Sequence, residues 1–235
     1  MKKTSIRLAK FIADSGIASR RMAEQLIESG VVSVNGAKID TPVFFVDGSE
    51  KITVNGKPIA EKSETQIYAF NKPINTMTTT RDPDGRKTIY DVLDRQYKNL
   101  KYIGRLDFKT TGLLLLTNDG ELARKLTLPS SGIGRTYIAT VGAGDMKQLD
   151  RARNGITVDG VKYRPMKIEI LKNRDLKITI TEGKKNEIRI VLSAIGLPVK
   201  KLHRISYGNI ELGNLSVGEI RCIDKKRIDV LMKSL

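Results

Sequence analysis

The stretch GRLDFKTTGLLLLTNDG, residues 104–120, decides the fold of the larger part of the chain. Its four consecutive leucines, residues 113–116, form an apolar run without alternation, which predicts a buried strand. Asp107 precedes this run, between Arg105 and Lys109. Two interpretations fit such a carboxylate: a turn aspartate that caps a buried strand, or a catalytic group kept ionised in a partly dry pocket.

Segments on both sides of the leucine run mix strand-like and helix-like patterns. Three segments are typical of strands: IYAFNKP (67–73), RTYIATV (135–141) and VKYRPMKIEILK (161–172). Two are typical of helices: TIYDVL (88–93) and NEIRIVLSAIG (186–196). The order lacks the regular alternation of a doubly wound parallel fold. We therefore predict an α+β domain over residues 63–235, with helices flanking a mixed, largely antiparallel sheet.

Residues 1–62 predict a separate small α/β domain with its linker. Two short helices, SIRLAKFIADSG (5–16) and SRRMAEQLIESG (19–30), precede two Asn-Gly turns that predict hairpins. Arg20 and Arg21 fall in the first turn of the second helix, where the helix dipole disfavours cations. A phosphate bound there would remove this conflict, and an exposed basic face explains the arginines equally well. The polar segment AEKSETQ (60–66) predicts the linker.

The charge balance points to a polyanionic partner. The chain has 42 Lys+Arg against 26 Asp+Glu, a net charge of +16. Residues 1–62 carry 10 basic and 7 acidic side chains, and the rest of the chain carries 32 and 19. Such an excess favours nucleic acid through counterion release.

Other classes of protein fit the composition poorly. No apolar run approaches the roughly 18–20 residues of a membrane span, and the N-terminus lacks the apolar region of a secretory signal. Cys222 and His203 are the only residues of their types, too few for a structural zinc site of about four ligands. We expect a cytoplasmic protein that binds no metal and no membrane.

The first domain resembles a known RNA-binding module. RLAKFIADSGIASRRMAEQLIESGVVSVNG (7–36) is similar to the S-four domain, first recognised in ribosomal small-subunit protein four, and the similarity covers about residues 5–52. This resemblance implies that five basic side chains contact structured RNA: Arg7, Lys10, Arg20, Arg21 and Lys38.

Four stretches together resemble an enzyme family across nearly the whole chain. They are NKPINTMTTTRDPDGRKTIYDVL (71–93), the opening stretch, GIGRTYIATV (132–141) and TEGKKNEIRIVLSAIGLPVKKLHRISYG (181–208). In order and spacing they are similar to the RsuA/RluB/RluE/RluF family of ribosomal RNA pseudouridine synthases. The resemblance implies that Asp107 attacks the target nucleoside, that Tyr137 stacks on the target uracil and is a candidate proton acceptor, and that Arg189 pairs with Asp107. Arg105, Lys184 and Lys185 are the expected RNA contacts of this domain.

The third motif departs from the commoner form of the family, E-G-K/R-N-x-x-V-R-R. This chain has EGKKNEIRI (182–190), in which Asn186 is displaced and Ile190 replaces the second arginine. The resemblance therefore extends to Arg189 but leaves the RNA contact of a second arginine open.

The implied reaction breaks the bond between uracil N1 and the ribose, rotates the base and rejoins it through C5. It needs no redox change, metal or nucleotide cofactor. The stretches 79–93 and 104–123 are closest to the RluB-like branch, so we expect a monomer that modifies large-subunit ribosomal RNA or its assembly intermediate.

Three alternatives remain at the level of sequence. VGAGD (141–145) is similar to a cofactor-binding glycine turn, and S-four domains also precede RNA methyltransferases. A second alternative is a catalytically inactive ribosome-binding factor. A hydrolase built on Ser193 and His203 is the third, although the chain lacks a nucleophile-elbow glycine pattern.

Overall fold

The computed structural model describes residues 5–59 and 64–234. The chain divides into two compact units, Met1–Thr65 and Gln66–Leu235. The predicted boundary between residues 62 and 63 lies outside the described residues.

The described residues of unit 1, 5–59 and 64–65, contain two short helices and two small sheets. In chain order its elements are β1 Ile6–Arg7, α1 Leu8–Asp14, α2 Arg20–Glu28, β2 Val32–Val34, β3 Ala37–Ile39, β4 Phe45–Val46, β5 Ile52–Val54 and β6 Lys57–Pro58. The strands pair as β1–β4 and in the order β3-β2-β5-β6. Leu8, Ile12 and Ile27 pack against the second sheet to form the core.

Local sequence explains most of unit 1. The Ser19 side chain accepts a hydrogen bond from the backbone N–H of Met22 at 3.3 Å, which caps α2. Asn35 and Asn55 both have a φ of +50°, as the predicted two-residue hairpin turns require. The expectation of two helices followed by two hairpins is confirmed.

Unit 2 contains eleven strands and four α-helices among its described residues. The strands are β7 Ile67–Lys72, β8 Lys101–Ile103, β9 Thr111–Thr117, β10 Arg135–Val141, β11 Ile156–Val158, β12 Val161–Tyr163, β13 Lys167–Ile170, β14 Asp175–Ile180, β15 Val199–Tyr207, β16 Ile210–Glu211 and β17 Ile220–Cys222. The helices are α3 Gly120–Thr127, α4 Leu149–Arg153, α5 Glu187–Ala194 and α6 Lys225–Lys233.

Nine of these strands form one sheet in the order β13-β14-β10-β15-β9-β7-β17, with β8 added to β9 and β16 to β15. Every pair in this sheet is antiparallel except β9 and β15, which are parallel. Strands β11 and β12 form a separate hairpin. The predicted α+β fold with a mixed, largely antiparallel sheet is confirmed.

The leucine run forms the middle of β9 and is buried on both faces of the sheet. Leu113 and Leu115 belong to one apolar cluster, and Leu114 and Leu116 belong to another on the opposite face. All four side chains are fully buried. The run therefore fixes β9 as a central strand, and the loop before it carries Asp107 to the end of that strand.

The parallel contact between β9 and β15 is short and close. It consists of the pairs His203–Thr111 and Arg204–Gly112. Gly112 has a φ of +98°, and a Cβ atom there would collide with the backbone of Arg204. Glycine is required at this position because two backbones meet with no room for a side chain.

The structure differs from the expected elements in three places. TIYDVL forms only a 3-10 turn, Ile89–Asp91. The expected strand VKYRPMKIEILK is two strands, β12 and β13, because Pro165 between them cannot donate to a sheet. Strand β17 and helix α6 lie in a C-terminal segment for which we predicted no element.

Candidate active site

The loop between β8 and β9 carries Asp107 and is held at both ends. The backbone N–H of Thr110 donates to the carbonyl of Asp107 at 2.9 Å. Thr78 fixes the preceding residue, since its hydroxyl donates to the Leu106 carbonyl at 2.8 Å and accepts from the Leu106 N–H at 3.3 Å. Asp107 is half-buried, and its position is fixed by these hydrogen bonds to the backbone of its loop.

Asp107 lines a cavity of about 610 Å³ in unit 2. The cavity is bounded by the loop 104–110, α3, β10, β15 and the loop 182–186. Tyr137 of β10 lines it as well and is 7 % exposed. A β-bulge between β10 and β15 begins at this tyrosine, because Thr136 pairs with Ser206 whereas Tyr137 pairs with Arg204. Bulges redirect side chains next to functional sites, and this one lies where Tyr137 meets the cavity.

Lys72, at the end of β7, is a buried cation that the sequence did not reveal. Its ammonium donates to the carbonyls of Thr110 at 2.9 Å and Pro73 at 3.0 Å. Burial lowers the pKa of Lys72 to about 8, attraction to Asp107 opposes this effect, and Arg204 adds to it. Lys72 therefore supports the Asp107 loop and places a positive charge near the carboxylate.

Two buried arginines of adjacent strands form a second unpredicted feature. Arg204 is 1 % exposed, and its Nε donates to the Leu113 carbonyl at 2.6 Å. Its guanidinium carbon lies 5.9 Å from the ring centre of Tyr137 and 5.4 Å from that of Tyr207. Arg135 donates to the Tyr207 hydroxyl at 3.2 Å. Both arginines line the cavity. Among the described residues, neither arginine forms an ion pair with a carboxylate.

Arg189, on α5, contacts the Asp107 loop through the backbone. Its guanidinium donates to the carbonyls of Lys109 at 3.1 Å and Val199 at 3.0 Å. Burial lowers the pKa of Arg189, and attraction to Asp107 opposes that shift. Within the described part of the chain, no ion pair joins Arg189 to Asp107, so the predicted direct pairing is not seen. The Arg189 guanidinium instead links the Asp107 loop to the start of β15, through the carbonyls of Lys109 and Val199.

The loop 182–186 is held by two acidic side chains. Glu182 accepts from the Arg164 backbone N–H and from the Lys184 ammonium, at 2.8 and 2.7 Å. Glu187 accepts from the Lys184 backbone N–H at 2.9 Å. Burial, with a further contribution from Glu182, raises the pKa of Glu187 to about 7. These contacts order the loop from which α5 begins.

The other expected RNA contacts have unequal surroundings. Exposed Arg105 and Lys185 line the cavity. Lys184 lines the cavity too, and its ammonium pairs with Glu182 and donates to the Lys162 carbonyl at 2.7 Å. In unit 1, a hollow on the surface brings together Arg7, Lys10 and Arg20, whereas Arg21 and Lys38 are exposed outside it.

The family model described as RNA pseudouridylate synthase matches residues 66–194 of this chain, which include the Asp107 loop, β10 and α5. The chain belongs to the RNA pseudouridylate synthase family. A second model, described as S4 domain, matches residues 6–52, so the predicted RNA-binding domain is confirmed.

Relatives of this synthase match over nearly their whole length. An uncharacterised RNA pseudouridine synthase of Aquifex aeolicus is 39% identical, covering 98% of this chain and 95% of the relative. Ribosomal large subunit pseudouridine synthase B of Bacillus subtilis is 38% identical, covering 92% and 91%. A crystal structure of a pseudouridylate synthase has a TM-score of 0.69 at 29% identity and covers 96% of this chain and 99% of that one. The synthase is an isomerase that acts on RNA.

The family excludes the methyltransferase alternative, and the structure explains the glycines that suggested it. Both glycines pack closely against residues 196–198. A Cβ at Gly144 would collide with the Gly196 carbonyl, and one at Gly142 would press on the Pro198 ring at 3.1 Å. They serve packing rather than a cofactor. The hydrolase alternative also fails, since the described residues show His203 bonded to Thr111 at 2.8 Å and no contact with Ser193.

Neither a metal cluster nor a membrane helix is found in the part of the chain that the structure describes. Over residues 5–59 and 64–234, no three His, Cys, Asp or Glu side chains group to hold a metal ion. The helices of the same residues are too short or too polar to cross a bilayer.

Proposed function

We propose that this synthase converts one uridine of large-subunit ribosomal RNA to pseudouridine, with Asp107 as the nucleophile. The observation that carries this proposal is the position of the Asp107 carboxylate, fixed by its loop at the wall of the cavity that also exposes Tyr137. The name of the Bacillus subtilis relative supports the large-subunit substrate. We also propose that the synthase acts as a monomer in the cytoplasm.

In the proposed mechanism, the carboxylate of Asp107 attacks the target nucleoside and the bond between N1 and the ribose breaks. The freed uracil turns over the ring of Tyr137. A bond then forms between C5 and the ribose, while the bond between the Asp107 carboxylate and the nucleoside breaks and the carboxylate is released. The proton that leaves C5 is replaced by one gained at N1, so the reaction is an isomerisation. Tyr137, a tyrosine that lines the same cavity as Asp107, is the candidate acceptor for the C5 proton.

Cations around the cavity have two proposed roles. Lys72 and Arg189 place positive charge near the carboxylate of Asp107, the group that acts as the nucleophile. Exposed Arg105 and Lys185 bind phosphates of the RNA as the target nucleotide leaves its stack. Arg204 packs over the ring of Tyr137 and Arg135 over that of Tyr207, and these cation–π contacts fix the two rings.

We expect tritium release from large-subunit ribosomal RNA that carries uridine labelled at C5. Small-subunit RNA of the same organism is the matched control and should release none. Mapping the pseudouridine in the reacted RNA then identifies the target. Release from the small-subunit RNA alone would contradict the proposed substrate and leave the isomerase assignment intact.

The rate is expected to fall as pH rises through about 8. Lys72, whose pKa burial lowers to about 8, is protonated below this pH and loses above it the charge that attracts Asp107. Arginine stays charged throughout this range, so Lys72→Arg should move the alkaline limb upward, and Lys72→Met should lower the rate and remove the limb. Rate–pH profiles with an unmoved alkaline midpoint in both variants would show that another group titrates.

A further inference from the structure

Phe45 is an aromatic side chain left open on a basic surface of unit 1. It is 51 % exposed, whereas every other aromatic side chain among the described residues is buried or half-buried. None of the ring–ring or cation–π contacts in those residues involves Phe45. Its neighbour in sequence, Phe44, packs against the core of the unit instead. Packing within unit 1 therefore does not account for the ring of Phe45.

The ring lies beside three cations. Strand β4 pairs with β1 so that Phe45 stands directly opposite Arg7, which places both side chains on one face of the two-stranded ribbon. The Leu8 N–H donates to the Phe44 carbonyl at 2.8 Å and holds this pairing at the start of α1. Phe45 and Arg7 line a hollow of about 230 Å³ together with Lys10 and Arg20.

The charges at this hollow are only partly balanced. Glu24 lines it as well, one turn after Arg20 on α2. Among the described residues, no ion pair within 4.0 Å joins Arg7 or Arg20 to a carboxylate. Two unpaired guanidinium groups thus flank an open aromatic ring, and one carboxylate stands at the wall.

We propose that this hollow binds one unpaired nucleotide of the RNA, with its base stacked on Phe45 and its phosphate held by Arg7 and Arg20. An aromatic ring beside cations is the combination by which proteins hold single-stranded nucleic acid, because every base has a stacking face and every nucleotide a charge. The carboxylate of Glu24 can accept a hydrogen bond from an N–H of the base edge. The inference deepens the proposed function, since it rests on unit 1 docking the RNA that unit 2 modifies.

The test compares two RNA probes that share one stem-loop. One probe is blunt, and the other carries a short single-stranded extension with the fluorescent base 2-aminopurine. We expect the full-length protein to bind the extended probe more tightly and to quench its fluorescence. Phe45→Ala should weaken binding of the extended probe by about five- to a hundredfold, the range for losing one stacked base, and should leave the blunt probe unaffected. Phe45→Tyr keeps a stacking ring and should bind like the wild type.

Val43→Ala is the matched control. Val43 is 63 % exposed, two residues before Phe45, and does not line the hollow, so its loss should change neither probe. Thermal unfolding of each variant verifies that it is folded. Two results would overturn the proposal: equal binding of both probes by the wild type, or an equal effect of Phe45→Ala on both probes. In either case the exposed ring of Phe45 does not stack on an unpaired base. These measurements need no turnover, so a failure of the proposed isomerisation would be seen separately.

Discussion

Replacing Asp107 by asparagine is expected to lower the rate of isomerisation by about a thousandfold or more, while the affinity for RNA changes little. The amide has nearly the shape of the carboxylate but is no nucleophile, and losses of this size follow removal of a residue that attacks the substrate. The backbone bond between Thr110 and the Asp107 carbonyl does not depend on the side chain, so the loop should keep its geometry. Tritium release and RNA binding are measured on the same preparation.

Asp229→Asn provides the matched control for this change. Asp229 is exposed on α6 and does not line the cavity, so its amide variant should keep the wild-type rate. Turnover by Asp107→Asn close to that of the control would refute Asp107 as the nucleophile, whatever happened to RNA binding.

Replacing Arg189 by methionine is expected to cost about a hundredfold in rate. The variant loses two charge-assisted hydrogen bonds, each worth about 1.5–3 kcal/mol, and leaves the carbonyls of Lys109 and Val199 without this partner. It also removes a cation that attracts Asp107. We therefore expect the acid limb of the rate–pH profile to move to higher pH.

Arg189→Lys separates the two roles of the arginine. An ammonium keeps the charge but lacks the planar fork that bridges two carbonyls, so this variant should recover part of the rate and return the acid limb toward the wild-type position. If Arg189→Met instead leaves the pH profile unmoved and mainly weakens RNA binding, Arg189 contacts phosphate and does not act on Asp107.

Local patterns were sufficient for much of the fold. The leucine run predicted a buried strand, and the two Asn-Gly pairs predicted hairpins, because each depends on residues close together in sequence. The roles of Asp107, Tyr137 and Arg189 came only from the resemblance to a family. The structure brings the first two to one cavity and sets Arg189 behind the loop.

Lys72 and Arg204 could not be predicted in the same way. Lys72 ends a strand just before a proline, and Arg204 lies in an alternating strand, so locally each matches an ordinary surface cation. Their burial depends on β9 lying between β7 and β15. Lys72 is buried by residues 38 positions away and Arg204 by residues 91 positions away. The parallel pairing of β9 and β15 is not encoded in either strand alone. The exposed ring of Phe45 was missed because an apolar residue in a strand is normally assigned to the core.

The close approach of β15 at Gly112 has a consequence for reading natural variation and mutational scans. No side chain fits between the two backbones, so even Gly112→Ala must push apart the strand that follows Asp107 and the strand that carries Arg204. Position 112 should therefore tolerate substitution as poorly as position 107, although glycine has no group that could take part in the reaction. A mutational scan that records only loss of activity would therefore score Gly112 like Asp107. Measuring the amount of folded protein in the cell would distinguish them, because only the Gly112 substitutions should lower it.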